Sequence, residues 1–132
     1  MSATNKISPH ILLFDDEGDI RELCSLILSS RGYTVSTCDS SNKVLEAVEN
    51  ARPDLIFMDN WIPGVGGIEA TRQIKSHPLF HATPVVLLSA NADLHVLAMQ
   101  AGADGYISKP FEISDLEEMI HKTLNNPAAS AA

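Results

Sequence analysis

Apolar residues fall into two kinds of pattern along this chain of 132 residues, and the two alternate from end to end. Ile11-Leu12-Leu13-Phe14, Leu55-Ile56-Phe57-Met58 and Val85-Val86-Leu87-Leu88 are unbroken runs, the mark of strands buried on both faces of a parallel sheet. Thr34 to Cys38 is β-branched and alternating, and Gly105 to Ile107 is brief; both read as further strands. Between the strands lie stripes at helical spacing. Ile20, Leu23, Cys24, Ile27 and Leu28 recur at i, i+3, i+4, i+7 and i+8, and Gly32 follows as a left-handed stop. Val44, Leu45 and Val48 make a second stripe, with Ser40 or Ser41 as its expected cap and Pro53 beyond its end. Ile68, Thr71 and Ile74 make a third before Pro78, and Gly64, Gly66 and Gly67 predict an unusually free loop ahead of it. Asn91 is the expected cap of a fourth helix, which has Leu94, Leu97, Ala98 and Ala101 inward and is closed by Gly102. Ser114 and Glu117 form an S-x-x-E capping box that opens the fifth, with Leu116, Met119, Ile120 and Leu124 on one face.

Five strands alternating with five helices, joined by right-handed crossovers, predict one doubly wound α/β domain. Its expected bounds are residues 10–125, after an N-terminal extension at 1–9 and before a small-residue tail or linker at 126–132. Composition agrees, since 45% hydrophobic and 20% charged residues suit a chain that buries one core. No apolar stretch approaches the roughly 20 residues of a membrane span. Met1 to Pro9 has no apolar core of a secretory signal, so a cytoplasmic location is the expectation. A net charge of −8 opposes contact with nucleic acid or anionic membrane, leaving proteins and small ions as the expected partners. Cys24 and Cys38 lack metal or redox spacing and read as reduced packing residues.

The polar residues at the strand ends carry the chemistry. The first run ends in Asp15-Asp16, the third strand in Asp59, the fourth in Ser89, and Lys109-Pro110 follows the fifth. In an open parallel sheet, ligands bind outside the carboxyl ends of the strands, where all of these lie. Three carboxylates brought together repel one another unless a cation intervenes, and hard oxygen donors suit Mg2+. One carboxylate can then attack phosphorus to give an aspartyl phosphate, with the lysine neutralising the transferring group and the hydroxyl sensing it. Position favours Asp59 as that nucleophile.

The acidic pair Asp15-Asp16, Asp59 with Pro63 four residues on, Ser89-Ala90, Tyr106 and Lys109-Pro110-Phe111 together resemble the receiver domain of response regulators in two-component phosphorelays. The likeness runs from His10 to Leu124 and implies a flavodoxin-like sandwich, (βα)5, with a parallel sheet of order 2-1-3-4-5. It implies that Asp59 accepts a phosphoryl group from a histidine kinase or histidine phosphotransfer protein. It implies that Asp16, Asp59 and the Trp61 carbonyl bind Mg2+ directly and Asp15 through water. Lys109 would pair with the phosphoryl group or Asp59, Ser89 would bond the phosphoryl oxygen, and Tyr106 would be the aromatic switch. The face from Asn91 to Leu124 would then contact a downstream protein target, the domain being a signalling module and no enzyme in the ordinary sense.

Ile62, Gly66, Asn60 and Trp61 depart from the commonest receiver pattern, and none removes a catalytic group. Trp61, two residues after Asp59, is expected to overhang the site and slow water attack on the phosphorylated state. A phosphatase of the haloacid dehalogenase type would need an acid where Trp61 stands. A flavin-binding module would need a loop after the first strand that does not repel phosphate, and Asp15-Asp16-Glu17 does. A receiver degenerated to a docking module would lack acids that are present here. Output remains open between a stand-alone regulator and the receiver piece of a hybrid kinase or longer regulator. The five histidines read as unassigned, His77 and His81 being separated by Pro78.

Overall fold

The computed structural model describes residues 8–124. Ten elements alternate: β1 (His10–Phe14), α1 (Gly18–Ser30), β2 (Thr34–Cys38), α2 (Val44–Ala51), β3 (Leu55–Asp59), α3 (Gly67–Lys75), β4 (Val85–Ser89), α4 (Leu94–Ala101), β5 (Gly105–Ser108) and α5 (Ile113–Leu124). The five strands form one parallel sheet in the order β2-β1-β3-β4-β5. Chain order reverses at β1 and β3, whose register places Phe14 beside Met58, so Asp15 and Asp59 emerge together at the switch point.

The three apolar runs are unbroken because successive side chains alternate between two covered faces. Leu12, Phe14, Ile56, Met58, Val85 and Leu87 pack with Val44, Val48, Ala70, Ile74, Leu94 and Ala98, under α2, α3 and α4. Ile11, Leu13, Leu55, Phe57, Val86 and Leu88 pack with Cys24, Leu28, Leu116 and Ile120, under α1 and α5. Both cysteines are free, Cys24 inside the second cluster and Cys38 half-buried against the first. Leu23, expected inward, is 51% exposed, because α1 seats only Cys24 and Leu28 fully. No helix among the described residues is long and apolar enough to cross a membrane.

Several expected helix caps are replaced by other contacts. Ser40 and Ser41 do not cap α2, which starts after Lys43 without a side-chain cap; Ser41 is spent on another loop, described below. Asn91 accepts from the Asp93 amide in the turn before α4 and is not its terminal residue. At α5 the reciprocal pair is Glu112 and Asp115, the Asp115 carboxylate accepting from the Glu112 amide. Ser114 lies inside that helix, and Glu117 pairs instead with Arg31 of the α1 end. The observed pair therefore lies two residues ahead of the S-x-x-E spacing at each position, since acids at helix starts compete for the same orphan amides.

Candidate functional site

The carboxylates of Asp15 and Asp59 come at the ends of β1, buried from Ile11 to Phe14, and of β3, buried throughout, so the backbone behind each is held on both sides. Asp15 is 0% exposed and Asp59 2%, whereas Asp16 faces solvent. One oxygen from each of Asp15, Asp16 and Asp59 lies within 4.8 Å of the others. Lys109, brought up by the end of β5, places its Nζ 3.2 Å from Asp15 Oδ2 and 3.4 Å from Asp59 Oδ1. The Lys109–Pro110 peptide bond is cis.

Other groups hold these side chains in place. Asp15 Oδ1 accepts from the Glu17 amide at 2.9 Å, and the Asp15 carbonyl accepts from Arg21 Nη1 at 2.8 Å. The Trp61 amide donates to Asp59 Oδ1 at 3.4 Å. Burial raises the Asp59 carboxyl above its ordinary value; Lys109 and the Trp61 amide oppose this, while Asp15 adds to it. Burial alone would lower Lys109, but the charges of Asp59 and Asp15 outweigh it and raise the ammonium. The lysine is thus firmly charged at neutral pH.

Three carboxylates against one ammonium leave surplus negative charge, and every available ligand atom is a hard oxygen. That donor set fits Mg2+, which takes one or two carboxylates with backbone carbonyls and waters; among the described residues no thiol or imidazole joins the cluster. Asp15, Asp16 and Asp59 are the residues able to hold it.

Ser89 ends β4 with its hydroxyl 0% exposed. Its Oγ accepts from the Asn91 amide at 3.0 Å and from Asn60 Nδ2 at 3.5 Å, and its carbonyl accepts from the Lys109 amide at 2.9 Å. Tyr106 is 41% exposed on β5, its ring 5.4 Å from that of His95 on α4. Trp61 is 69% exposed and lines a groove of about 450 Å³ with Val65, Ile68, Arg72, Asn91 and Leu97, a set that does not include Asp59. The indole therefore flanks the site on its α3–α4 side.

Four contacts were not foreseen from the sequence. Glu17 Oε1 stands 3.8 Å from Lys109 Nζ, a third carboxylate around the lysine. Arg21 supports the Asp15 carbonyl, and Asn60 reaches the Ser89 hydroxyl. Ser41, 0% exposed, bonds the loop after Asp59. Only Glu17 had a signal, its adjacency to the acidic pair.

The model of the response regulator receiver domain family matches residues 11–121, and the chain belongs to that family. The DNA-binding response regulator MtrA of Mycobacterium tuberculosis is 32% identical over 116 residues, covering 86% of this chain and 50% of that protein. The chain spans about half the length of the curated relatives it matches. A putative response regulator from Chloroflexus aurantiacus superposes with a TM-score of 0.83 at 28% identity, over 90% of this chain and 99% of that one. The receiver domain of sensor histidine kinase PA1611 from Pseudomonas aeruginosa PAO1, solved with a magnesium ion coordinated in its active site cleft, gives 0.81 at 28%, covering 90% and 99%. The chain is thus a receiver domain of two-component signalling, with the expected flavodoxin-like order of strands.

Proposed function

We propose that this domain accepts a phosphoryl group on Asp59 from a phosphohistidine of a histidine kinase or phosphotransfer protein, in a Mg2+-dependent reaction. The observation that carries the proposal is the placement of Lys109 Nζ between Asp15 and Asp59, at 3.2 and 3.4 Å, beside a cluster of three carboxylates. Asp59 is nearly buried at the end of a strand, between the Trp61 amide and Lys109, a suitable setting for a nucleophile.

An Asp59 oxygen attacks phosphorus as the bond from phosphorus to the donor imidazole breaks, and the imidazole nitrogen keeps the electron pair. Lys109 is then close enough to neutralise the transferred oxygens. Asp16, Asp59 and the Trp61 carbonyl, with Asp15 through water, are the groups that would hold Mg2+, and the ion would supply further neutralisation of that charge. Ser89 turns from the Asn91 amide toward the phosphoryl oxygen. Tyr106, half-exposed on β5, moves inward as the space beside Ser89 changes, and the face formed by α4, β5 and α5 changes with it. A downstream protein target reads that face. Trp61 flanks the site, and slower water attack on the phosphorylated state is the role assigned to it.

Output by protein contact, with residues 10–125 as the working unit, is our first reading. A second is that the domain acts as the receiver of a longer regulator or hybrid kinase. MtrA, of which this chain matches about half, and the kinase receiver among the structural neighbours favour the second. MtrA is named as DNA-binding, so the expectation that nucleic acid plays no part rests on net charge alone and is not sustained by the relatives.

Trp61 is the only tryptophan, so its fluorescence should respond to Mg2+ and again to acetyl phosphate, the second response being lost in Asp59→Asn. Absence of both responses, with Asp59→Asn indistinguishable from the parent protein, would sink the proposal.

A further inference from the structure

The loop from Asn60 to Gly66 connects the phosphoacceptor strand to α3 and carries the Trp61 carbonyl. Its glycines predicted a free segment, but it is held. Ile62 is 2% exposed in the core beneath it, the Ile62 amide donates to the Asp59 carbonyl at 3.2 Å, and the Gly67 amide donates to the Asn60 carbonyl at 3.1 Å. These contacts fix the two ends. The middle is fixed from outside, by Ser41 in the loop between β2 and α2.

Ser41 is wholly buried. Its amide donates to the Pro63 carbonyl at 2.8 Å, its hydroxyl donates to the same carbonyl at 3.0 Å, and its Oγ accepts from the Val65 amide at 3.0 Å. The hydroxyl is therefore satisfied in both directions by one loop across 22 and 24 residues of sequence. The contact is close enough that Gly64, at φ +107°, has no room for a side chain: a Cβ there would meet the Asn42 amide nitrogen at 2.8 Å. Two loops are packed backbone to backbone, and one serine makes the side-chain bonds between them.

We infer that Ser41 is a positioning residue for the phosphoryl-transfer site: by clamping Pro63 and Val65, it fixes where the Trp61 carbonyl meets the carboxylate cluster. The inference rests on the receiver reading of that cluster. A buried hydroxyl behind a metal-ligating carbonyl acts as an outer-shell support, and loss of such a support commonly weakens metal affinity about 10- to 100-fold. Removing the hydroxyl takes away two of the three bonds that hold the middle of the loop while leaving every carboxylate in place.

The test is a titration of the full chain with Mg2+ alone, followed by calorimetry and by Trp61 fluorescence. Parent protein, Ser41→Ala and Ser41→Cys are compared with Ile74→Val, a core variant that destabilises α3 without touching the loop. Ser41→Ala should bind Mg2+ about tenfold more weakly, with faster hydrogen exchange at the Val65 amide, while Ile74→Val keeps the parent affinity. Ser41→Cys keeps the shape of the side chain, slightly enlarged, but bonds weakly, and should fall on the Ser41→Ala side even where Ser41→Ala folds poorly. Both Ser41 variants binding Mg2+ within twofold of the parent would overturn the inference. So would an equal loss in Ile74→Val, since the effect would then be general instability. A parent protein that does not bind Mg2+ at all would overturn the site reading itself, and Ser41's role with it.

Discussion

The two sides of this sheet are built to different standards. On the acceptor side, every residue of β3 is buried and Asp15, Asp59 and Ser41 are almost wholly enclosed, each with named partners. On the proposed readout side, β5 alternates half-buried and exposed residues, Tyr106 is 41% exposed, and Val96 and Met99 of α4 face outward. The difference fits the roles proposed for the two sides. Groups that attack and neutralise must be held to within fractions of an ångström, whereas a surface that reports the event needs an alternative packing a few kcal/mol away.

The largest effect should come from removing the charge at the centre of the acceptor side. Lys109→Ala is expected to slow phosphorylation by acetyl phosphate on the order of 100-fold, the usual consequence of losing one preorganised donor to a developing charge. Quantifying the aspartyl phosphate over time checks it, and a rate within a few-fold of the parent would break the proposed division of labour. Stability should divide the same way. Phe57→Ala, in the core beneath the site, should cost about 3–5 kcal/mol in urea unfolding, while Tyr106→Ala on the readout strand should cost about 1 kcal/mol or less. Equal losses would mean that the two sides are equally rigid.

Within the acceptor loop, Gly64→Ala should destabilise by about 1–3 kcal/mol, because φ is +107° and the new Cβ meets backbone. Gly66→Ala, at φ +85° with nothing within 4 Å, should cost less by the same measurement. The smallest contrast is between the thiols. Burial pushes Cys24 up to about 11 from 9.0, with Asp15 adding to the rise, and burial also raises the half-buried Cys38. Alkylation of the native protein at pH 8 should therefore reach Cys38 first. The unfolded chain loses the Cys24 proton before the folded one does, so the stability this thiol contributes is full below pH 9 and is lost as pH climbs through 11.

Much of this was legible along the chain. The three unbroken runs read as strands covered on both faces, as they are, and each ended in a residue able to do chemistry; Asp15, Asp59, Ser89 and Lys109 do converge. Element ends were less legible. Ser41 stood where a cap belongs, and it is small and polar, so its local signal was that of a helix start; burial by a distant loop overrode it. The glycines at 64, 66 and 67 signalled freedom, yet Gly67 is glycine because a Cβ would lie 2.4 Å from the Asp59 carbonyl. In both positions a close approach from elsewhere in the fold decided the residue.

By itself the sequence determined the alternation of strands and helices, the burial of the central strands and the kind of group at each strand end. These follow from side-chain periods of 2 and 3.6 residues, which are properties of neighbours along the chain. Only the tertiary structure decided that Lys109 sits among Asp15, Asp59 and Glu17, that Trp61 flanks the site, and that Ser41 holds the loop after Asp59. Those contacts join residues brought together by crossovers, and a hydrogen bond between two loops leaves no period in either one.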